Sequence, residues 1–215
     1  LGEIAVISPN RIKGRWIDAE SRFVKNARVM SSERKFLTES EIDAFLRAAR
    51  KTRNGIRDYC MALMAYRHGL RVSELIKLRE EQVDLDAMLL TFKRLKNGKN
   101  IPHEIEGDEA RAIRAWKRER AMYKSSKSSL LFLSERGAMT RQAVNYLFEV
   151  IGQKAGIGVK VHPHMLRHSC GYALANKNTA TRTIQAYLGH RNIKHTEIYT
   201  EDNPERLKGI WQKKA

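Results

Sequence analysis

Negative charge and cysteine are both scarce in this chain. Its 215 residues carry 24 Asp+Glu against 41 Lys+Arg, a formal net charge of +17 and a pI near 10.1. Such an imbalance points to a polyanionic partner, with nucleic acid ahead of an anionic membrane surface. The membrane alternative lacks what it would need. There is no run of about 18 apolar residues to span a bilayer, and no signal peptide is legible at the start. The basic residues are also spread along the chain and not gathered on one amphipathic helix. Two cysteines, Cys60 and Cys170, are too few for a disulfide framework, and no pair stands at zinc-ligand spacing. Both sit in apolar helical contexts, RDYCMALMAY and RHSCGYALA, and read as buried thiols in a reducing compartment. Apolar residues still make up 42%, which excludes a disordered chain and suffices for one domain, with or without an appendage.

Residues 1–35 carry eight Lys/Arg (Arg11, Lys13, Arg15, Arg22, Lys25, Arg28, Arg34, Lys35) against four acids, with little periodicity. They read as a basic leader or linker, or as an arm that touches a nucleic acid. Order begins at Thr38-Glu39-Ser40-Glu41, a capping box. The helix it starts is expected to bury Ile42, Phe45, Leu46 and Ala49. Asn54-Gly55 breaks it. A second helix, from about Ile56 to Gly69, is apolar nearly all round, as a central helix would be, with Gly69 as its left-handed terminator. Arg71 follows, before a short helix VSELIKL. It is either a well-placed site cation or a surface arginine capping carbonyls.

From Val83 the period changes to alternation around Asn97-Gly98, a strong hairpin signal. Strands are expected near 88–94 and 100–105, with Lys96 at the tip; such lysines commonly only protect an edge. Residues 108–123 pattern as a helix around Ala112, Ile113, Trp116 and Met122. The serine-rich KSSKSS is a loop, and Leu130–Leu133 is a third strand or a buried extended segment. Thr140 caps a helix carrying Val144, Leu147, Phe148 and Ile151. Pro163 suits the first turn of the next helix, which places His164 and Arg167 in its opening turns, where anions are favoured.

Residues 162–199 organise the whole. His164 and Arg167 share a helix face; His190 follows Leu188-Gly189, and Tyr199 comes nine residues later. Arginine neutralises phosphoryl oxygens, histidine moves or shares protons, and tyrosine forms a covalent ester, the set that attacks a phosphodiester. His162, His164 and His168 also invite a metal. However, a hydrolytic zinc helix carries a glutamate after its first histidine, where Met165 stands, and Arg167 and Arg182 repel a divalent cation. Tyr199 differs from Tyr59, Tyr66 and Tyr187 in lying within a polar segment, RNIKHTEIYT. As a nucleophile it needs nearby cations and a proton acceptor, roles open to the arginines, His164 and His190.

GLRVSEL, KNGK, HPHMLRHSCG and LGHRNIKHTEIYT, in this order, resemble the catalytic domain of the tyrosine recombinases, the phage integrase family, over about residues 36–215. HPHMLRHSCGYALAN, the LGHRNI box and the near-terminal GIW most resemble the short recombinases that invert a fimbrial promoter switch. The resemblance implies a mainly α-helical domain with a small antiparallel β-sheet. It implies that Tyr199 attacks the scissile phosphate and leaves a 3′-phosphotyrosyl link. Arg71 and Arg167 would clamp the non-bridging oxygens, Lys96 would protonate the leaving oxygen, His164 would assist as general base and His190 would hydrogen-bond the phosphate. Glu74 would support the fold as a buried carboxylate pairing an arginine. No cofactor, metal or nucleotide is implied, because the phosphotyrosine conserves the bond energy. The implied partners are double-stranded DNA with inverted-repeat sites, a homo-tetramer assembled on it and accessory DNA-bending proteins, in the bacterial cytoplasm at the nucleoid. Most integrases place a helical DNA-clamping domain before the catalytic one. Thirty-five residues are too few for it, so the chain reads as a fragment of a longer recombinase or as a short fimbrial-type enzyme. Relaxation of DNA in the manner of a type IB topoisomerase, and a catalytically silent DNA-binding regulator, are the alternatives.

Overall fold

The computed structural model describes residues 11–12, 15–16, 34–92 and 102–201. The Asn97-Gly98 turn, Lys96 and the segment after residue 201 lie outside the described residues. The chain divides into two units, residues 1–34 and 35–215. In the first, β1 (Arg11–Ile12) pairs antiparallel with β2 (Arg15–Trp16).

The second unit is mainly helical. Helix α1 (Glu39–Ala49) opens on the expected capping box: the Thr38 hydroxyl accepts from the Glu41 amide, and Glu41 reaches back to the Thr38 amide at 2.9 Å. It buries Ile42, Phe45, Ala48 and Ala49. Leu46, expected inside, is only half-buried, because the inward face turns through Ala48 instead. Helix α2 (Gly55–Arg67) lies at the centre, with Cys60 to Ala65 all buried. It ends at Gly69, whose φ of +54° is the left-handed terminator the sequence suggested. The short α3 (Val72–Leu75) follows directly.

Among the described residues the sheet has one more strand than the alternation suggested, and parts of both expected strands lie outside those residues. β3 (Val83–Asp84), β4 (Leu89–Leu90) and β5 (His103–Glu104) pair in that order, all antiparallel. Asp84 makes the β3–β4 turn itself, its carboxylate accepting the amides of Asp86 and Ala87. Helix α4 (Gly107–Arg120) buries Ile113 and Trp116, and the indole N–H donates to the Leu131 carbonyl at 2.9 Å. Met122, expected on that apolar face, is 78% exposed, since the helix stops before reaching it. Leu131–Leu133 is fully buried, and β6 (Leu133–Ser134) pairs with β7 (Gly137–Ala138). Helix α5 (Arg141–Lys154) is capped by Thr140, α6 (Pro163–Asn176) carries Pro163 in its first turn, and α7 (Thr181–Leu188) and α8 (Lys194–Glu197) complete the order. Both cysteines are buried and outside any disulfide, and the Cys170 thiol meets the Arg67 carbonyl at 3.3 Å. No described helix is long and apolar enough to cross a membrane.

Two buried polar knots tie these elements. His68, at the end of α2, meets Glu109 of α4 at 2.6 Å and His103 of β5 at 3.3 Å, and the His103 ring lies 4.0 Å from that of Tyr187 on α7. The second knot explains how a serine-rich loop holds one shape. Arg120, 3% exposed, donates to the carbonyls of Ser126, Ser128 and Leu130 and pairs with Glu80 at 3.0 Å. Removing that guanidinium leaves several buried acceptors without a donor. Arg120→Met is expected to lose about 3 kcal/mol in urea unfolding, while Lys127→Ala in the same loop stays within about 0.5 kcal/mol of wild type.

Candidate active site

Helix ends build the cationic part of the site. The last carbonyls of a helix have no partner within it, and here two helices end in left-handed glycines, Gly69 after α2 and Gly189 after α7 (φ +66°). Arg167 extends from α6 between those ends. Its Nη1 donates to the Gly69 carbonyl at 2.5 Å and its Nη2 to the Leu188 carbonyl at 2.6 Å. The residue is 1% exposed. Cations are favoured at helix C-termini, so the fold compensates part of the cost of burying this charge. Arg71 reaches the next carbonyl along, that of Gly189, at 3.5 Å. Its other anchor is Glu74, buried at 5% exposure as expected. One oxygen of Glu74 takes the guanidinium at 2.8 Å, and the other takes the Arg71 amide at 2.9 Å. Arg71 thus touches a helix-end carbonyl, next along the chain from the Leu188 carbonyl that Arg167 holds.

Tyr199 is buried, although the segment that carries it is polar. It is 1% exposed, whereas its neighbour Ile198 is 45% exposed. The reason is local: Thr196 and Tyr199 are one turn apart, and both face inward. The phenol ring lies flat against α6 at Gly171, where an added Cβ would come within 2.6 Å of it. Tyr172 packs edge-on at 5.1 Å between centroids. The hydroxyl is 2.9 Å from Nδ1 of His168. Burial pushes the phenol up to about 12, with Cys170 and Tyr172 adding and Arg167 opposing.

The histidines are held neutral. His190 Nδ1 meets the Thr196 hydroxyl at 2.9 Å, and burial, Arg167 and Arg71 press its pKa down to about 3. His168 falls to about 4 through burial and the charges of His164, Arg167, Lys35 and His162. His164, on the exposed first turn of α6, is also lowered, by desolvation and by Arg167, His162 and Arg71. Its ring stands edge-on to His168 at 4.6 Å.

Of the six residues marked in the sequence, Arg71, His164, Arg167, His190 and Tyr199 converge around the start of α6 and the end of α7. Lys96 lies outside the described residues. Three participants went unmarked. His168 reads in the sequence as a metal ligand or as a histidine that packs its helix, although its place four residues after His164 puts it on the same helix face. Gly171 seats the tyrosine ring, and Thr196 orients His190. Among the described residues no group of three or more His, Cys, Asp or Glu side chains could hold a metal.

The profile of the phage integrase family matches residues 35–206. Type 1 fimbriae regulatory protein FimE of Escherichia coli K12 is 43% identical over 184 residues, which is 85% of this chain and 93% of FimE. Type 1 fimbriae regulatory protein FimB of the same strain is 42% identical, with 85% of this chain and 92% of FimB covered. The crystal structure of XerA recombinase superposes with a TM-score of 0.72 at 26% identity, covering 84% of this chain and 66% of that one.

Two measurements check the site's electrostatics. The phenolate absorbance that Tyr199→Phe removes should titrate near pH 12 instead of 10 in the folded protein. His168 and His190 have folded pKa values below their ordinary 6.5, so between about 6.5 and 3 the unfolded chain binds protons that the folded chain refuses. Stability should therefore be full above pH 6.5 and fall as the pH drops through that window. Replacing His168 with Asn should make the urea midpoint less steep against pH there.

Proposed function

Because this chain belongs to the phage integrase family, the tyrosine-type site-specific recombinases, we propose that it cuts and rejoins duplex DNA through a phosphotyrosyl bond made by Tyr199. The observation that carries this reading is the pair of guanidiniums fixed on consecutive carbonyls, Leu188 and Gly189, beside a buried tyrosine. A phosphate set against the start of α6 meets Arg167 and Arg71, which neutralise its non-bridging oxygens most strongly in the pentacoordinate transition state. His164 and His190 hydrogen-bond the same group. With the Thr196 hydroxyl donating to Nδ1, the neutral His190 ring carries its proton on Nε2 and can donate it to an oxygen. Lys96 protonates the departing 5′ oxygen. The step balances: the O–P bond to Tyr199 forms as the P–O5′ bond breaks, and religation runs it backwards with no cofactor.

The relatives FimE and FimB are named as regulators of type 1 fimbriae. We extend that to this chain as inversion of a promoter segment between inverted repeats, carried out in the bacterial cytoplasm by a homo-tetramer with accessory DNA-bending proteins. Residues 1–35 are a basic leader that adds DNA contacts, residues 36–215 are the catalytic domain, and the segment 203–215 docks on a neighbouring subunit. A type IB topoisomerase or a silent regulator is not favoured: the first has no use for paired sites, and the second has no use for Tyr199.

Covalent trapping tests the reading. The protein is incubated in EDTA with nicked duplexes carrying inverted repeats from its genomic neighbourhood, then run on a denaturing gel. A shifted band is expected for wild type and none for Tyr199→Phe, with DNA binding changed by less than about twofold in the variant. A band that needs a divalent metal, or that survives Tyr199→Phe, would refute it.

A further inference from the structure

We infer that His168 takes the phenolic proton of Tyr199 during cleavage, in place of His164. The inference rests on the reading of Tyr199 as the nucleophile. It starts from geometry: Nδ1 of His168 is 2.9 Å from the tyrosine oxygen, whereas His164 meets only the edge of the His168 ring, at 4.6 Å between centroids. His164 is exposed where the phosphate would arrive, and the tyrosine hydroxyl is buried behind it. Placement is fixed from both sides. Gly171 lets the ring lie against α6, and His168 stands one turn earlier on that helix. A proton acceptor must sit within hydrogen-bond reach of the proton it removes, and among the described residues His168 does.

The step is a proton transfer coupled to phosphoryl transfer. The O–H bond of Tyr199 breaks, its proton passes to the Nδ1 lone pair of His168, and the phenolic oxygen forms the bond to phosphorus as O5′ departs. On religation the DNA hydroxyl attacks, the phenolic oxygen leaves, and the imidazolium returns the proton. The groups facing His168 set its strength. His164 and Arg167 come from its own helix, His162 from that helix's N-cap, Lys35 from the segment before α1, His190 from the end of α7, and Tyr199 from the segment after α8. In the free protein burial first, and then the charges of Arg167 and Lys35, make it a weak base. An arriving phosphate brings negative charge beside Arg167 and Arg71, offsets them, and restores basicity only when substrate is in place. Those same cations make the imidazolium short-lived, which favours return of the proton.

His168→Asn separates proton transfer from simple positioning, because an amide oxygen stands near the place of Nδ1 and accepts a hydrogen bond but not the proton. Single-turnover cleavage of the nicked substrate is followed from pH 5 to 10. The wild-type rate should rise out of an acid limb and level off. His168→Asn should be slower by about 100-fold at neutral pH, lack the plateau, and go on climbing about tenfold per pH unit as hydroxide replaces the missing base. His168→Ala should behave likewise and be partly restored by added imidazole. DNA affinity measured alongside reports whether either variant is folded. A variant that keeps the wild-type profile, at full rate or with a uniform deficit, overturns the inference. So would loss of the plateau in His164→Asn with His168→Asn unaffected. If Tyr199→Phe still yields the covalent band, the nucleophile assignment fails first and this inference with it. If that band is lost while His168→Asn keeps the wild-type profile, the inference alone fails.

Discussion

The site depends on one buried guanidinium. Arg167 is bonded to the Gly69 carbonyl, 98 residues earlier in the chain, and to the Leu188 carbonyl, 21 residues later. Those two bonds bring the ends of α2 and α7 together over the start of α6. Close approach of the two ends is sterically demanding: a Cβ on Gly69 would come within 2.5 Å of the Leu188 side chain, and the backbone there is left-handed as well. Glycine is therefore required twice over at one position. Once these ends are joined, Arg71 follows two residues after Gly69 and His190 two residues after Leu188. The site is a consequence of how the helices stop, more than of any pocket between them.

Much of this was legible because it is local. The capping box at Thr38, the left-handed Gly69, the Thr140 cap and Pro163 at the start of α6 each depend on a few adjacent residues, and the structure has all four. Pairing of Glu74 with an arginine came with the family resemblance, and the structure supplies the partner as Arg71, three residues away. Tertiary choices were less legible. Whether Leu46 or Ala48 faces the core, or where α4 ends relative to Met122, is decided by what packs opposite, and a periodic pattern tolerates either. The third strand, Val83–Asp84, is two residues long and carries too little alternation to register.

Tyr199 shows the limit most plainly. Its segment is polar, yet the phenol is buried and Ile198 is turned outward. What seats the ring is a small residue on a distant helix, Gly171, and Gly171 has no signal within the Tyr199 segment. His168 was hidden differently. Its spacing from His164 was visible, but that spacing first suggested a metal, and rejecting the metal left only a histidine that packs its helix. Only the 2.9 Å approach of the tyrosine oxygen supplies a chemical role.

Burial and concentrated positive charge act in the same direction on the histidines. Burial most, and then Arg167 with its neighbours, lowers His168 and His190, so that both are neutral at ordinary pH and resist protonation. For the phenol, burial raises the pKa to about 12 against the pull of Arg167, so Tyr199, the nucleophile in the proposed reaction, stays protonated until something changes. An arriving phosphate is such a change, because its negative charge cancels part of the field that weakens the base while its oxygens take over the arginines. A nucleophile that stays inert until the scissile group arrives is what a strand-exchange enzyme requires. A phenolate formed earlier would have only water and the wrong phosphates to meet.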